Sequence, residues 1–299
     1  MAIIERTLLT QQPSELRRTQ MRRRGLHYQQ VSLLLTYAIL TLFAIFTLLP
    51  FVWLLTSSVK DNSQYFADPI IWLPLPAHWA NYSTVMADYN FGRKVFNSLF
   101  LASFSAVFET TTSALVAYGF ARFRFPGRNV LFILVLATMM VPYQLLTISL
   151  YNVFRNLGWL DTFLPLMVPK LFGSAFLIFI LRQFFMGLSK EPDEAARIDG
   201  CSRFGIFWRI ILPQARPAFI VAMVFSFLAS WTDAWGPLIY LSSEDNRTVP
   251  IGLLYFTTPY GPNYPLITAA AVVALAVPVI LYTLGQRYID RGIAIAEIR

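Results

Sequence analysis

The sequence predicts an all-α membrane protein with six transmembrane helices, and two observations carry that prediction. Of its 299 residues, 56% are hydrophobic and only 13% are charged, about half of the charged fraction of soluble proteins. Residues 28–59, 129–154 and 248–286 contain no Asp, Glu, Lys or Arg. A helix of about 20 apolar residues crosses the hydrocarbon core of a bilayer. Several uncharged windows of this length therefore indicate repeated membrane crossing rather than buried helices of a soluble protein.

The first hydrophobic run follows a basic tail at residues 1–30. A secretory signal peptide also starts with positive charge, but its apolar core is about 7–15 residues long and a cleavage site of small residues follows it. The run here is longer, so we expect it to remain as the first span. Proline-rich or charged segments separate the later runs. The six predicted spans are residues 31–56, 97–121, 130–150, 164–186, 218–242 and 266–286.

The distribution of basic residues predicts the orientation of these spans. With six spans, both termini lie on the same side of the membrane. If that side is the cytoplasm, most of the 24 Lys and Arg residues fall on it, which is the bias that the positive-inside rule describes. We expect an N-in, C-in arrangement with one domain at residues 31–290 and cytoplasmic tails at residues 1–30 and 291–299. The charged segment at residues 190–217, between spans four and five, then faces the cytoplasm.

The composition argues against several other functions. Cys201 is the single cysteine, so the chain forms no internal disulfide, and with only His27 and His78 a structural metal site is not expected. The net charge of +8 could suggest nucleic acid, but the arginines lie beside apolar spans, as membrane topology requires. The chain lacks the phosphate-binding pattern G-x-x-x-x-G-K followed by Ser or Thr. We expect no catalysis and no bound cofactor here, and any use of ATP must come from another chain.

Glu109 lies midway along the second predicted span and is followed by three threonines. A charged side chain at the centre of a bilayer costs about 2.5–3.5 kcal/mol on insertion scales, so we expect Glu109 to face a water-filled path or a partner helix. Two interpretations stay equally open. Glu109 either lines a solute pathway or makes a structural hydrogen bond between helices, the latter including a protonated carboxyl.

The fifth predicted span contains a second charge, Asp233, in a segment that Gly236 and Pro237 interrupt. Backbone polar groups freed inside a membrane are tolerated only where protein or water satisfies them. The segment is either a broken helix beside a solute path or a simple turn at the outer end of the span, and the turn is slightly favoured for Asp233 itself. Trp231 and Tyr143 are further pathway candidates because aromatic rings stack on sugars, although aromatic belts at the membrane interface explain most such residues.

The charged segment at residues 190–217 predicts a short cytoplasmic helix. Pro192 suits a first helical turn, and Asp193-Glu194 complement the positive end of the helix dipole. Ala195-Ala196 favour the helix. Their short side chains leave a surface that another protein can approach closely. Gly200 permits the left-handed cap that ends such a helix.

A second helix can follow at residues 203–209, with Phe204 and Phe207 on one side. Pro213 and Pro217 then lead into the fifth span. The predicted product is a short helix that two spans hold roughly parallel to the membrane on its cytoplasmic side.

At this segment the sequence resembles a known family. Glu194-Ala195-Ala196, three further residues, Gly200, nine further residues, and then Ile210, Leu212 and Pro213 match the EAA signature of importer-type ABC permeases without gaps. In that family the segment is the coupling helix, which docks in a groove of the ATPase subunit. The residues to which the resemblance assigns this coupling role are Glu194, Ala195, Ala196, Asp199, Gly200, Phe204 and Phe207.

Other segments narrow the resemblance to the carbohydrate-uptake branch, and within it to the smaller, six-span partner of maltose-transporter-type permease pairs. They span about residues 35–290. The matching segments are Asn97-Ser98, residues 117–123, residues 125–128, residues 157–162, residues 182–185 and Gln286-Arg287-Tyr288. Two departures matter. The branch usually has Trp-Asn where Trp231-Thr232 stands, and the C-terminal tail that reaches the ATPase interface in that branch is not matched by residues 294–299.

The resemblance implies an ATP-driven importer in the cytoplasmic (inner) membrane of a bacterium or archaeon. This chain would assemble with a second, larger permease, two ATPase subunits that hold ATP and Mg, and an extracellular or periplasmic solute-binding protein. The branch favours a di- or oligosaccharide as the solute, with glycerol-3-phosphate or a glycerophosphodiester next. Two rivals come from other classes: a secondary transporter driven by an ion gradient through Glu109 and Asp233, and a membrane scaffold without a solute path.

Overall fold

The computed structural model describes residues 30, 32–258 and 261–297, which are mostly helical. The first helix, α1, covers Ser32–Ser57 and contains no charged residue. Its side chains at residues 32–52 are exposed. Its 26 residues exceed the about 20 that a bilayer core requires. This helix therefore has the length and the apolar surface of a membrane span, close to the predicted 31–56, whereas nearly all of the predicted basic tail lies outside the described residues.

The other regular elements are numbered in chain order. The helices are α2 (Asn62–Tyr65), α3 (Ala80–Ala87), α4 (Phe91–Phe104), α5 (Thr110–Arg122), α6 (Arg128–Ala137), α7 (Tyr143–Asn156), α8 (Leu164–Met167), α9 (Ala175–Gly187), α10 (Glu191–Ile198), α11 (Arg203–Ile206), α12 (Leu212–Gln214), α13 (Arg216–Trp231), α14 (Trp235–Tyr240), α15 (Val249–Leu253) and α16 (Tyr264–Glu297). A short antiparallel pair, β1 (Thr257–Thr258) and β2 (Gly261–Pro262), precedes α16.

Within the described residues, four helices are long and apolar enough to cross a membrane, or up to six if each of two bent pairs counts as one span. Besides α1, the long helices are Phe91–Arg122, Leu164–Gly187 and Tyr264–Gln286. They coincide with the predicted second, fourth and sixth spans. The helix Phe91–Arg122 joins α4 to α5 through a wider π-helical turn, Ser105–Glu109.

The predicted third span is not one straight helix. Its residues divide between Arg128–Met140 and Tyr143–Asn156, which meet at an angle of 92°. The bend lies at Val141-Pro142, where Val141 has an extended backbone with ψ of 114°. Proline disfavours the helical conformation in the residue before it, so Pro142 interrupts the helix inside the predicted window at 130–150.

The predicted fifth span, residues 218–242, needs a similar correction. Its helix, α13, begins at Arg216 and ends at Trp231 after 16 residues. Sixteen residues extend about 24 Å at 1.5 Å per residue, which is less than the about 30 Å of a hydrocarbon core. The chain then turns and resumes as α14. At its other end α13 meets the helical stretch Arg203–Gln214 at an angle of 87°.

Two hydrophobic clusters join the helices that follow α1, and α13 contributes to both. The first, the α5–α9 cluster, brings α5, α9, α11 and α12 against Ala218 and Ala222 of α13. The second, the α4–α16 cluster, brings α4, α15 and α16 against Phe227 and Trp231 of α13. Small residues at such contacts, including Ala114 of α5, allow the backbones of membrane helices to approach closely.

Candidate functional site

The helix α10 ends in the left-handed glycine cap that the sequence predicts. Gly200 has a φ of 80°. Its N–H donates to the carbonyl of Arg197 at 3.1 Å, and the N–H of Cys201 donates to the carbonyl of Ala196 at 2.9 Å. These two bonds form a Schellman motif, which satisfies carbonyls that the end of a helix would leave unpaired. At the other end, Pro192 lies in the first turn beside acidic residues that suit a helix N-terminus.

Most residues assigned to partner contact are exposed. The exposed ones are Glu194, Ala195, Asp199, Gly200 and Phe204. Ala196 is buried, and Phe207 is fully buried in the α5–α9 cluster. Phe207 packs against Tyr118 of α5 with ring centroids 5.3 Å apart, whereas Phe204 is 62% exposed. The two phenylalanines therefore differ in environment: Phe204 belongs to the exposed surface, whereas Phe207 packs beneath it in the α5–α9 cluster.

An ion pair fastens α10 to the end of α5. Arg122 Nε lies 3.1 Å from Asp193 Oδ2, and the Arg122 side chain is only 5% exposed. Arg122 Nη2 also donates to the carbonyls of Leu188 and Ser189, each at 3.1 Å. Burial raises the pKa of the Asp193 carboxyl, and the Arg122 guanidinium opposes part of that shift. The sequence does not reveal this pair, because its members belong to helices that are far apart in the chain.

The second part of the segment is anchored to the same helix. The Tyr118 hydroxyl of α5 donates to the carbonyl of Arg203 at 3.2 Å. The Arg203 guanidinium lies over the ring of Phe123, 4.6 Å from its centroid, within the range of a cation–π contact. Both helical parts of the charged segment are therefore attached to the end of α5.

Three of the four pathway candidates lie around a cavity of about 460 Å³ among α4, α7, α8, α13 and α14. Its wall combines prolines and aliphatic side chains with a few polar groups, a composition typical of small-molecule sites. The polar lining residues are Glu109, Tyr143, Lys170, Ser174, Ser230 and Asp233. The structure thus brings three of the four pathway candidates, Glu109, Tyr143 and Asp233, to one place.

Glu109 has a hydrogen-bond partner at each carboxylate oxygen. Lys170 Nζ donates to Oε1 at 3.1 Å, and Ser226 Oγ donates to Oε2 at 2.6 Å. Glu109 is 6% exposed and is the last residue of the π-helical turn Ser105–Glu109, a distortion that often occurs at functional sites. Glu109 therefore bridges helices and lines the cavity at once, so both interpretations describe part of its environment.

Asp233 forms the turn between α13 and α14. Its Oδ1 accepts from the backbone N–H groups of Trp235 at 3.0 Å and Gly236 at 3.2 Å, which is the turn geometry that Asp side chains favour. A Cβ at Gly236 would lie 2.8 Å from both Asp233 Oδ2 and Leu166 Cδ2, so a larger residue there would displace these two side chains. Elsewhere on the wall, the hydroxyls of Tyr143 and Tyr240 are 3.1 Å apart.

Trp231, the fourth pathway candidate, does not line the cavity. It is buried in the α4–α16 cluster, where its ring stacks on that of Phe227 with centroids 6.1 Å apart. Trp231 is the last residue of α13, whereas Asp233 lies in the turn that follows it, so the two side chains have different surroundings. Trp231 is therefore a core residue.

A further set of polar contacts, not apparent in the sequence, holds the loop after α14 from two sides. Asp161 Oδ1 accepts from the backbone N–H groups of Ser242-Ser243, each at 2.9 Å, and these bonds lower the pKa of the Asp161 carboxyl. From α4, Asn97 Nδ2 donates to the carbonyls of Asp245 at 2.7 Å and Arg247 at 2.9 Å. Asn97 and Asp161 both occur in segments that match the family, but their partners could not be read from them.

Comparison with known families identifies one that covers much of the chain. The family described as binding-protein-dependent transport system inner membrane component matches residues 109–295. This stretch is more than half of the chain. It contains all of α10 and most of the cavity lining.

Two relatives are similar over most of their length. The chain is 31% identical over 274 residues to the arabinooligosaccharides transport system permease protein AraQ of Bacillus subtilis (strain 168), covering 90% of this chain and 96% of that protein. It is 29% identical over 270 residues to the diacetylchitobiose uptake system permease protein NgcG of Streptomyces coelicolor, covering 89% of this chain and 88% of that protein.

The fold of this chain also occurs in a solved structure. A chain in the crystal structure of a bacterial ABC transporter involved in the import of the acidic polysaccharide alginate is similar with a TM-score of 0.76 and 21% identity. The similarity covers 87% of this chain and 97% of that chain. At this level of identity it shows a shared fold.

Proposed function

Because this chain belongs to the family of binding-protein-dependent transport system inner membrane components, we propose that it is the permease subunit of an ABC importer for a di- or oligosaccharide. It forms the translocation path together with a second, larger permease. It performs no hydrolysis itself, and separate ATPase subunits supply the work of ATP hydrolysis.

The observation that carries this proposal is the exposed helix α10 fastened to a span by a buried ion pair. Displacement of α10 acts directly on Arg122 at the end of α5 through Asp193. Helix α5 begins next to Glu109, which lies at the cavity wall. A contiguous route of covalent and ionic contacts therefore joins a surface for a partner to a site for a solute. Such a route transmits work only if the partner contacts α10 differently in two states.

The proposed partners follow from the family and from the exposed surface. An ATPase subunit docks on the surface formed by Glu194, Ala195, Asp199, Gly200 and Phe204, and ATP and Mg are held by the two ATPase subunits. A solute-binding protein delivers the solute from the extracellular or periplasmic side. The assembly lies in the inner membrane of a bacterium or archaeon.

We place six spans in the membrane with both termini in the cytoplasm. The pair Arg128–Met140 and Tyr143–Asn156 counts as the third span. The fifth span is α13 continued by α14, whereas Arg203–Gln214 remains with α10 in the cytoplasmic segment at residues 190–217. Support comes from the positive-inside bias of the sequence, which favours a cytoplasmic position for the arginines of residues 190–217.

A sugar is supported by the names of the relatives, which specify arabinooligosaccharide and diacetylchitobiose transport. The cavity of about 460 Å³ also has the size of a small-molecule site, about 300–1,000 Å³. The alternative within the same machinery is glycerol-3-phosphate or a glycerophosphodiester.

Substitutions in α10 test the coupling role in proteoliposomes that hold the complete transporter and its binding protein. Glu194→Lys reverses a charge on the docking surface. Gly200→Pro is incompatible with the φ of 80°, because proline holds φ near −65°. We expect both variants to insert and to hydrolyse ATP while uptake falls by roughly 5- to 150-fold, the range of ordinary coupling free energies. Uptake at the wild-type rate in Glu194→Lys would show that α10 is not the coupling element.

The same preparation separates this proposal from an ion-driven transporter. Depleting ATP at a fixed ion gradient should stop uptake, because the energy enters through the ATPase subunits. Uptake that continues without ATP would favour a secondary transporter that uses Glu109 and Asp233. Absence of ATPase and binding-protein subunits from the purified complex would favour a scaffold.

A further inference from the structure

The cavity that Glu109 lines contains polar groups that the coupling route does not use. Lys170 carries three N–H donors, of which one contacts Glu109, and its side chain is 34% exposed. Asp233 commits Oδ1 to the turn before α14, which leaves Oδ2 as an acceptor. Ser230, which is partly buried, adds a hydroxyl that can both donate and accept.

The rest of the wall is apolar and includes one large aromatic face. The Tyr143 side chain is 44% exposed, and its hydroxyl lies 3.1 Å from that of Tyr240. An aromatic ring offers an apolar surface while its hydroxyl satisfies a polar contact. The wall therefore offers hydrogen-bond donors, hydrogen-bond acceptors and an apolar face. These suit a molecule with hydroxyl groups, which both donate and accept hydrogen bonds, and with a carbon skeleton that has apolar faces.

The charges of the lining residues do not balance. Glu109 and Lys170 lie 3.1 Å apart as an ion pair, so their charges offset each other. Among the described lining residues, Asp233 is then the one carboxylate without a cationic counterpart. Clefts with low-dielectric walls focus the field of such a charge, so the cavity repels anions and attracts cations.

We infer that this cavity contacts a neutral, hydroxyl-rich solute through Lys170, Ser230 and Asp233, and that the Asp233 carboxylate disfavours anionic solutes. The inference rests on the proposed function and deepens it. It favours a sugar over glycerol-3-phosphate, and an uncharged sugar over one that carries carboxylates.

Charged thiol reagents measure the field of the cavity without knowledge of the solute. Ser230→Cys is made in a Cys201→Ser background, and the complete transporter is treated with a cationic or an anionic methanethiosulfonate reagent. Each rate is divided by the rate of the same reagent with a small thiol in solution. We expect the normalised cationic rate to exceed the anionic rate by about tenfold, because the reagents differ by two unit charges next to Asp233.

Two further substitutions assign that preference to its source. Asp233→Asn keeps an oxygen that can accept from the N–H groups of the turn and removes the charge, so it should abolish the preference. Asp88→Asn removes an exposed carboxylate at the end of α3, outside the cavity lining, and should leave it unchanged. Equal normalised rates at Ser230→Cys, or a preference that survives Asp233→Asn, would overturn the inference.

Protection of the same cysteine tests the class of solute. Trehalose, arabinotriose and diacetylchitobiose are compared with glycerol-3-phosphate at equal concentration. Slower labelling with one of the neutral sugars, and no protection by glycerol-3-phosphate, supports the assignment. Protection by glycerol-3-phosphate alone, or by none of the four, overturns it. The α10 variants test ATP-dependent coupling in a separate experiment. Failure of the proposed function and failure of this inference are therefore distinguishable.

Discussion

At the scale of single residues, Glu109 shows how a charge is accommodated inside a span. An ionised carboxylate in hydrocarbon is costly unless it is paired and hydrogen-bonded. Lys170 supplies the opposite charge and Ser226 a second hydrogen bond. These partners come from the segment before α9 and from α13, so a single side chain joins three helical segments. Glu109 both bridges the helices and lines the cavity, which explains why neither interpretation of Glu109 excludes the other.

A double-mutant cycle tests this bridge. Lys170→Met leaves the Glu109 carboxylate without its cation, and we expect it to destabilise the purified complex by about 1–3 kcal/mol, between the values for exposed and buried pairs, because the Lys170 side chain is 34% exposed. Glu109→Gln keeps an acceptor for Ser226 and should cost about 1–2 kcal/mol. The double variant should recover much of the loss. Denaturant or thermal unfolding of the complex measures these changes.

Additive losses in the double variant would show that Glu109 and Lys170 do not interact energetically, and Asp88→Asn serves as the control with an exposed carboxylate. Solute uptake by Glu109→Gln gives a second readout. We expect uptake to fall more than assembly, because Glu109 also lines the cavity. Normal uptake with normal assembly would make Glu109 a structural group only.

At the scale of elements, α5 connects the two candidate sites. It is 13 residues long, about 20 Å at 1.5 Å per residue. One end follows Glu109 at the cavity, and the other end holds α10 and α11 through Arg122 and Tyr118. Because a helix is stiff over this length, we expect movement of α10 to reach the cavity wall as movement of α5.

Replacement of Arg122 tests this connection. Arg122→Lys keeps the charge but cannot pair with Asp193 while also donating to the carbonyls of Leu188 and Ser189, because the lysine amine lacks the planar fork of a guanidinium. We expect ATP hydrolysis to continue while the amount of solute imported per ATP falls by roughly tenfold, a loss within the usual range of coupling. Arg93→Lys, at an exposed position of α4, is the matched control. An unchanged ratio of imported solute to hydrolysed ATP in Arg122→Lys would show that the ion pair is not part of the coupling route.

At the scale of the whole molecule, the arrangement of spans decides which surfaces meet which compartment. The helices from α4 onward are organised around α13, which contributes to both hydrophobic clusters. With the proposed N-in orientation, we expect the surface of α10 to face cytoplasmic subunits and the loop that Asp161 and Asn97 hold to face the outside.

Cysteine accessibility tests this orientation in intact cells. In a Cys201→Ser background, Asp88→Cys should react with a membrane-impermeant thiol reagent added outside. Arg209→Cys should react only after the membrane is permeabilised. Both positions are exposed, so burial does not explain a difference between them. The reverse pattern of labelling would contradict the proposed topology.

Several features of the fold and of the site were predictable because they depend on local sequence. Gly200 ends α10 as expected, since a left-handed cap needs a residue without a Cβ, and the long apolar windows do form long helices. The bends at Pro142 and after Trp231 were less predictable. A proline or glycine marks where a helix can break, but packing decides whether it does.

By itself, the sequence determined the apolar helices, the predicted cytoplasmic side of the charged segment and the shape of α10, because hydrophobicity, charge bias and helix caps act over a few neighbouring residues. Only the tertiary structure decided the partners of the buried charges at the two candidate sites: Lys170 for Glu109 and Asp193 for Arg122. It also decided that Phe207 and Trp231 are core residues while Phe204 is exposed. The reason is geometric, since a sequence pattern describes one helix face at a time, and the crossing of helices selects which faces meet.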